Sequence, residues 1–287
     1  MGLGRTGHHH STRPMHAVPS KAITATVLAG IAVAAALAAT ALARPIGPAP
    51  ERDPFASAAM TGFVTTRAGE ITAALYDVRT ERLFTLHPGV LEEEASIAKV
   101  DILATLLHER GVAGAPAGEA SAAIDDSDND AAQALWNEAG GDPSIAAFNA
   151  AAGMTQTVLD PKGVWGHDET TAVDQIHLLE VLDSPNALLP TPAREYELGL
   201  MRSVTPAQAW GVSAGVLAPA TVALKNGWLP ASNEPGWQVN SIGIVRGRGR
   251  HYLLAVLTAD NAGMAYGTQT IAGIAALVWH ALSPLAR

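Results

Sequence analysis

The hydrophobic and polar positions divide the chain into an uncharged run, a proline-rich segment and a long region of mixed periodicity. Residues 22–43 contain no charged side chain. Residues 45–54 contain four prolines, which remove amide donors and favour an extended chain. From residue 55 to residue 287, apolar positions recur with both strand-like and helical spacing, so we expect one folded domain there.

Strand-like patterns stand near both ends of this domain. Residues 69–77 and 82–86 are separated by a short polar turn and predict a β-hairpin. Three further strands are predicted towards the C-terminus, at residues 221–225, 238–245 and 252–257.

Helical spacing fills the middle of the domain and its end. The predicted helices cover residues 97–110, ended by Gly111, and residues 131–139, 172–181 and 269–282. Strands at both ends with helices between them predict an α+β fold. In it, one antiparallel sheet is assembled from the two chain ends and packs against an inserted helical layer.

The N-terminal segments predict export. Residues 1–21 are basic, residues 22–43 have the layout of a signal-peptide hydrophobic region or a membrane anchor, and residues 44–54 are a proline-rich linker. Positive charge before the uncharged run places the domain outside, either secreted or tethered to the outer face of the cytoplasmic membrane. Residues 41–43 (Ala-Leu-Ala) also fit a cleavage site, so release and tethering both stay open.

Composition excludes several classes of protein. The formal net charge is −9, and all 27 acidic residues follow Arg44, so the domain offers no basic surface for nucleic acid. The chain has no Cys, which excludes disulfides, Cys-ligated metal sites and thiol nucleophiles. We expect no metal site and no membrane contact other than the N-terminal segment.

The first of three short motifs lies at the start of the helix predicted for residues 97–110. Ser96 and Lys99 are three residues apart, so they share a helix face and the lysine amine can lie near the serine hydroxyl. A serine becomes a useful nucleophile when a nearby base takes its proton, and a buried lysine can serve as that base. The spacing alone also fits a capping serine followed by a solvated lysine.

The other two motifs stand at the ends of predicted elements. Residues 127–129 (Ser-Asp-Asn) lie at a loop-to-helix junction, where they equally fit a helix cap. Residues 225–227 (Lys-Asn-Gly) end a predicted strand, where they equally fit a surface turn. Spacing alone does not separate these structural roles from a catalytic one.

In this order, the three motifs resemble the Ser-x-x-Lys, Ser-Asp-Asn and Lys-Thr/Ser-Gly set of the penicillin-recognising serine enzymes, most of all class A β-lactamases. Residues 169–172 (Glu-Thr-Thr-Ala) resemble the segment that ends the omega loop of class A enzymes. The resemblance covers residues 55–287. It implies the β-lactamase and transpeptidase-like fold, with an antiparallel sheet packed against a helical domain, and catalysis without a cofactor.

The resemblance also implies a role for each matching residue. Ser96 would be the acylated nucleophile and Lys99 its proton acceptor. Ser127 would relay a proton to the leaving nitrogen, and Lys225 would sit near it and contribute positive charge towards the substrate carboxylate. Asn129 would hydrogen-bond the amide side chain of the substrate and help to hold Lys99.

The remaining predicted substrate contacts lie in and after the third motif. The oxyanion hole would come from the backbone N–H groups of Ser96 and Trp228, the residue after Gly227. Asn226 replaces the usual hydroxyl residue, so the hydroxyl that binds a β-lactam carboxylate is missing, although an amide can still donate a hydrogen bond with a different reach. Asn226, Gly227 and Trp228 join Asn129 as the predicted substrate-binding residues.

A second departure concerns deacylation. Class A enzymes use a Glu that is followed four residues later by an Asn, and residues 154–168 contain no Glu. The acids that remain are Asp160 and Asp168, followed by Glu169, which we expect to close the loop by pairing with a basic residue. We therefore expect acylation at the serine but slow hydrolysis of the acyl-enzyme.

The sequence thus predicts an exported serine hydrolase, acylated at Ser96 by β-lactams or related amides and esters, with a small-molecule or peptidoglycan-type substrate. The alternatives are a penicillin-binding D,D-peptidase-type enzyme or esterase with slow deacylation, and a non-catalytic cell-wall binding module. His167, His177 and His251 are scattered singly, so a Ser-His-Asp triad would need a tertiary coincidence.

Overall fold

The computed structural model describes residues 53–230 and 236–282. The predicted basic segment 1–21, the uncharged run 22–43 and most of the linker 44–54 lie outside the described residues. None of the helices in the described part of the chain combines the length and the apolar character that crossing a membrane requires.

The strands form one large sheet and one small ribbon. The large sheet contains β1 (Glu70–Asp77), β2 (Arg82–Leu86), β5 (Thr221–Pro230), β6 (Trp237–Gly247) and β7 (Arg250–Asn261), and the ribbon contains β3 (Glu92–Glu93) and β4 (Glu169–Thr170). The large sheet is antiparallel, in the order β2-β1-β7-β6-β5. The prediction of a sheet assembled from both chain ends is therefore confirmed.

Eight helices cover the two faces of the described sheet. They are α1 (Ala58–Val64), α2 (Ala98–Gly114), α3 (Ala117–Asp125), α4 (Asn129–Ala139), α5 (Asp142–Ala152), α6 (Ala172–Asp183), α7 (Thr191–Arg202) and α8 (Met264–Ala281). Helices α2 to α7 share one apolar core with one face of the sheet. Helices α1 and α8 share a second core with the other face. The α+β fold predicted from the sequence is observed.

Strand β7 shows how the sheet separates the two cores. Leu253, Ala255 and Leu257 pack on the side of the helical domain, whereas Leu254 and Val256 pack on the side of α8. All five side chains are fully buried, and full burial of one leucine contributes about 1.5–3 kcal/mol. Because both faces are covered, the strand is a continuous apolar run without polar alternation.

The helix that follows Ser96 loses its regular path at Gly111, the residue at which its end was predicted. Helix α2 extends to Gly114, but Gly111 adopts φ 66° and ψ 176°, which breaks the helical path. Helix α4 begins two residues before the predicted start at residue 131, because the Asp128 side chain accepts a hydrogen bond from Ala131 N at 2.8 Å and caps the first turn.

Helices α1, α3, α5 and α7 were not predicted. In α3 and α5 alanine supplies much of the sequence, so the apolar face contrasts little with the exposed one. Ala120 and Ala123 are nevertheless fully buried, which shows that these short helices are held by close packing against their neighbours.

Candidate active site

Ser96 lies in a tight turn that leads directly into α2. The turn is a 3₁₀ helix at Ala95–Ile97, and Lys99 follows one turn later with its side chain fully buried. Ala95 adopts φ 52°, a left-handed conformation that is strained for a residue with a Cβ atom. Such strain is concentrated at functional sites, where the surrounding structure holds it in place.

Lys99 is held by the second motif. Its Nζ donates to Ser127 O at 2.5 Å and to Asn129 Oδ1 at 2.7 Å, and lies 3.1 Å from Ser127 Oγ. Burial lowers the pKa of Lys99 to about 7, although the negative charge of Asp128 acts in the opposite direction. A neutral amine has two N–H groups, and the two shortest contacts satisfy both. The lone pair of the nitrogen then remains free to accept a proton from a hydroxyl group.

Ser127 connects the two lysines. Its Oγ is 2.9 Å from Lys225 Nζ as well as 3.1 Å from Lys99 Nζ. Ser127 itself has φ 62°, so this residue, like Ala95, adopts a strained backbone conformation beside the site. The neighbouring Asp128 caps α4, so the cap interpretation of this motif applies to Asp128, and the catalytic role of Ser127 stays a prediction.

Lys225 is buried beside Ser127 Oγ. Its Nζ also donates to Asn226 O at 2.9 Å. Burial lowers the pKa of Lys225 well below its usual range, and the charge of Lys99 lowers it further. Two buried amines around one hydroxyl titrate as a coupled pair, so protonation of one disfavours protonation of the other.

Gly227 brings strand β5 against the nucleophile turn. A Cβ atom at this position would lie 2.7 Å from Ser96 N, 2.8 Å from Glu94 O and 2.9 Å from Ile97 N. All three neighbours are backbone atoms that cannot move away cheaply, so only glycine fits. This contact places the start of the Trp228 peptide beside Ser96. The oxyanion role of Trp228 stays a prediction.

Asn226 points into the segment that precedes β5. Its Nδ2 donates to Gln208 O at 2.7 Å and to Trp210 O at 3.1 Å. These contacts use the amide hydrogens, so Asn226 holds this segment in place, and its contact with substrate stays a prediction. The Trp210 ring in turn lies 5.9 Å from the Trp228 ring at an interplanar angle of 53°.

The loop at residues 154–171 is closed by a different acid from the one predicted. Asp168 Oδ1 accepts a hydrogen bond from Asp160 N across the neck of the loop at 2.7 Å, and Asp168 is buried. Glu169 is exposed, and its backbone pairs with Val158. The expectation that Glu169 closes the loop with a basic partner was wrong, because β4 directs its side chain to solvent and a backbone N–H serves as the closing donor.

Sequence reasoning did not indicate the contacts through which this loop reaches the site. The Trp165 ring centre lies 5.4 Å from Lys99 Nζ, and its Nε1 donates to Gln133 Oε1 at 3.1 Å. His167 Nδ1 donates to Glu93 Oε1 at 2.9 Å. Both belong to a turn, Trp165–His167, that packs against the turn carrying Ser96. The direction of these side chains was not visible in the sequence.

Buried carboxyl groups lie beneath the nucleophile turn. Glu94 is fully buried, and its Oε1 accepts from Gln175 Nε2 at 3.0 Å. Burial and the nearby carboxyls of Asp101 and Asp168 raise the pKa of Glu94 well above its usual range. Within residues 53–230 and 236–282, no group of three or more His, Cys, Asp or Glu side chains is arranged to hold a metal ion.

Comparisons with known proteins identify the family and the fold of the chain. A sequence model of the "Beta-lactamase enzyme family" matches residues 120–282, more than half of the chain. No curated protein sequence matches the chain.

Solved structures share the fold. A β-lactamase from Chitinophaga pinensis DSM 2588 superposes with a TM-score of 0.67 at 17% identity, over 77% of this chain and 97% of that one. An ancestral class A β-lactamase gives 0.65 at 20% identity, over 78% and 98%. TLA-1 extended-spectrum β-lactamase gives 0.68 at 16% identity, over 78% and 97%. At these identities the structures establish a common fold.

Proposed function

Because the chain belongs to the β-lactamase enzyme family and is a serine hydrolase of that type, we propose that it is acylated at Ser96 by β-lactams or by related amides and esters. One observation carries this proposal. Two buried lysines converge on Ser127 Oγ, at 3.1 Å and 2.9 Å, next to the turn that presents Ser96. A structural helix cap requires neither buried lysine, and burying two amines is costly without a function.

The proposed acylation step uses these groups. Lys99, as the neutral amine, takes the proton of Ser96 Oγ while the oxygen attacks the carbonyl carbon of the substrate. The N–H groups of Ser96 and Trp228 stabilise the developing oxyanion. When the tetrahedral intermediate collapses, the proton passes from Lys99 through Ser127 to the leaving nitrogen or oxygen. The product is an ester on Ser96 and a neutral leaving group.

Hydrolysis of that ester is proposed to be slow. Asp160 Oδ2 accepts from Lys162 N and Val164 N, and Asp168 Oδ1 accepts from Asp160 N, so both acids bond to the backbone of their own loop. Glu169 points to solvent. These contacts favour an enzyme of the penicillin-binding D,D-peptidase or esterase type over a fast β-lactamase. A cell-wall binding module without catalysis is the third possibility.

The proposed location is outside the cell. Support comes from the basic segment 1–21 and the uncharged run 22–43, which together have the layout of an export signal or anchor. The substrate is accordingly a small molecule or a peptidoglycan-type amide. Protease treatment of intact cells, followed by N-terminal sequencing of the mature chain, separates a released enzyme from a tethered one and from an internal protein.

The experiment that tests the catalytic proposal weighs the intact protein over time. The purified chain and its Ser96→Ala variant are incubated with a penicillin, a chromogenic cephalosporin and a neutral fluorophosphonate. Turnover without a lasting adduct identifies a β-lactamase, and a persistent adduct on Ser96 identifies the penicillin-binding or esterase type. Absence of any adduct dependent on Ser96 overturns acylation and leaves the binding module.

A further inference from the structure

We propose that Trp165 is a positioning residue of this site: its ring covers the Lys99 amine on the loop side and excludes the water through which that amine would hydrolyse the acyl-enzyme. The inference rests on the proposed acylation of Ser96 and names the feature that makes hydrolysis slow. It is carried by the contact of the ring with Lys99, by the bonds that fix the ring and by the polar atoms beside it.

The Trp165 ring completes the enclosure of Lys99 Nζ. The centre of the ring lies 5.4 Å from Nζ. The other contacts of Nζ are with Ser127 and Asn129, at 2.5 to 3.1 Å. Lys99 is fully buried, whereas Trp165 is half-buried. Because the ring reaches solvent and the amine beside it does not, the ring separates the amine from water on this side.

Bonds on both sides of the ring hold it over the amine. Trp165 Nε1 donates to Gln133 Oε1 on α4 at 3.1 Å. Two residues later, His167 Nδ1 bonds to Glu93 Oε1 at 2.9 Å. The turn Trp165–His167 also packs against the turn that carries Ser96. The position of the ring is therefore fixed from the helical domain and from the nucleophile turn together.

The ring also separates two polar groups. Asn129 and Gln133 are four residues apart on α4, so they share a helix face. Asn129 Oδ1 accepts a hydrogen bond from Lys99 Nζ, and Gln133 Oε1 accepts one from Trp165 Nε1. Without the ring, the amine and the Gln133 oxygen would border the vacated space. An indole occupies several times the volume of one water molecule, about 30 Å³, and a space of that size with polar walls fills with water.

Water in that space would have a base beside it. After acylation the Lys99 amine is neutral again, because its proton has left with the leaving group. The amine would take a proton from the water as the water oxygen attacks the acyl carbon. The ester bond to Ser96 Oγ would then break, the proton would pass from Lys99 to Oγ, and the acyl group would leave as a carboxylic acid. With the ring in place, water does not reach the amine from this side.

The lifetime of the acyl-enzyme tests the inference on the full-length chain. The wild type, Trp165→Ala and Trp165→Phe are acylated with a penicillin, freed of excess donor and followed by intact mass. Trp165→Ala should shorten the lifetime at least about tenfold, because a well-positioned base contributes about 10²–10⁴-fold and a newly admitted water is less well placed. Trp165→Phe keeps a ring over the amine and should keep most of the lifetime.

The pH dependence separates a lysine base from a loosened loop. Hydrolysis of the Trp165→Ala adduct should rise with pH and then level off, because only the neutral Lys99 amine accepts a proton. The charged groups Asp128 and Lys225, which act on Lys99, stay in every variant, so they do not cause a difference between variants. A loop that is merely loosened gives no such profile.

Trp237→Ala is the matched control, because Trp237 is also half-buried but packs against the core on the other face of the sheet. Its adduct should last as long as that of the wild type. Trp165→Leu, which removes the ring but keeps an apolar side chain, replaces the alanine variant if that variant unfolds, and should shorten the lifetime several-fold.

Three results overturn the inference: a wild-type lifetime in a folded variant without the ring, equal shortening in Trp165→Phe, or hydrolysis of the Trp165→Ala adduct that does not change with pH. Absence of Ser96 labelling in the wild type, by penicillin and fluorophosphonate alike, instead overturns the proposed function.

Discussion

Around Ser96, α2 and β5 contribute two buried lysines that both contact Ser127. In the loop at residues 154–171, by contrast, the two acids Asp160 and Asp168 accept hydrogen bonds from backbone N–H groups of the loop itself. Lys99 and Lys225 meet at Ser127, and these three residues come from separate elements. The loop places the Trp165 ring beside Lys99 Nζ. We propose that the first side serves acylation and that the loop supplies no obvious base for deacylation.

The largest expected effect comes from replacing the proposed nucleophile or its base. Ser96→Ala should abolish covalent labelling by an acylating probe, because the nucleophile is absent. Lys99→Met should slow labelling by about 10²–10⁴-fold, the usual contribution of a positioned base, while the protein stays folded because a buried amine is replaced by an apolar chain of similar length. Intact mass over time measures both.

Lys162→Met is the control for loss of a lysine, since Lys162 is exposed on the loop and its backbone, not its amine, bonds to Asp160. Its labelling rate should match that of the wild type. Undiminished labelling of Ser96→Ala would place the acylated residue elsewhere.

The second prediction concerns the loop at residues 154–171 and the lifetime of the acyl-enzyme. A penicillin adduct on the wild type should last minutes or longer, and Glu169→Gln should leave that lifetime unchanged because its side chain faces solvent. His167→Gln tests the one loop imidazole that bonds to an acid, Glu93, beside the nucleophile turn. Stopped-flow release of product combined with intact mass separates acylation from deacylation.

Hydrolysis of penicillins at tens per second, an ordinary enzyme rate, together with loss of deacylation in Glu169→Gln, would make that residue the base. A lifetime lengthened only by His167→Gln would assign the role to the imidazole instead. Either result would show that the loop is catalytic despite its backbone contacts.

The same contrast explains how much could be predicted. The strands and the motif residues were found because alternation, helix spacing and motif order are local properties of the chain. Lys99, Ser127 and Lys225 were expected to meet, and their side chains do. The tertiary contacts of Trp165 and Asn226 join positions that only folding brings together, so no local pattern indicated them. Glu169 was misassigned because sequence position does not show which of two adjacent acids points inward.

The third prediction concerns the pH dependence of the acylation rate. The pKa of Lys99 is about 7, so its amine is protonated below that pH and free above it. Acylation of the wild type should fall about tenfold for each pH unit below 7 and reach a plateau above it. Rates of adduct formation with a neutral donor across about pH 5–9 measure this profile. A flat rate across that range would exclude a lysine that titrates as the base.

The smallest expected effect on catalysis concerns Asp168, the acid that closes the loop. Burial raises its pKa to about 7, and the carboxyls of Asp142 and Asp160 add to this, although the Asp160 N–H acts in the opposite direction. The folded protein therefore keeps a proton that the unfolded chain, with a pKa of 3.8, releases. This contribution to stability is complete below about pH 4 and is lost as the pH rises through 7.

Asp168→Asn keeps an oxygen acceptor for Asp160 N but cannot ionise, so the variant should gain stability relative to the wild type as the pH rises. The gain between pH 4 and pH 8 should be on the order of 4 kcal/mol, from about 1.4 kcal/mol for each pKa unit between 3.8 and about 7. Urea unfolding at the two pH values measures it, with the exposed Glu169→Gln as the control that should show no such gain. The adduct lifetime should be the same in Asp168→Asn and in the wild type, because the carboxyl holds the loop closed and does not activate water. If the lifetime instead lengthens about tenfold while the stability difference stays constant with pH, Asp168 is the deacylation base and the two sides of the site act in one catalytic cycle.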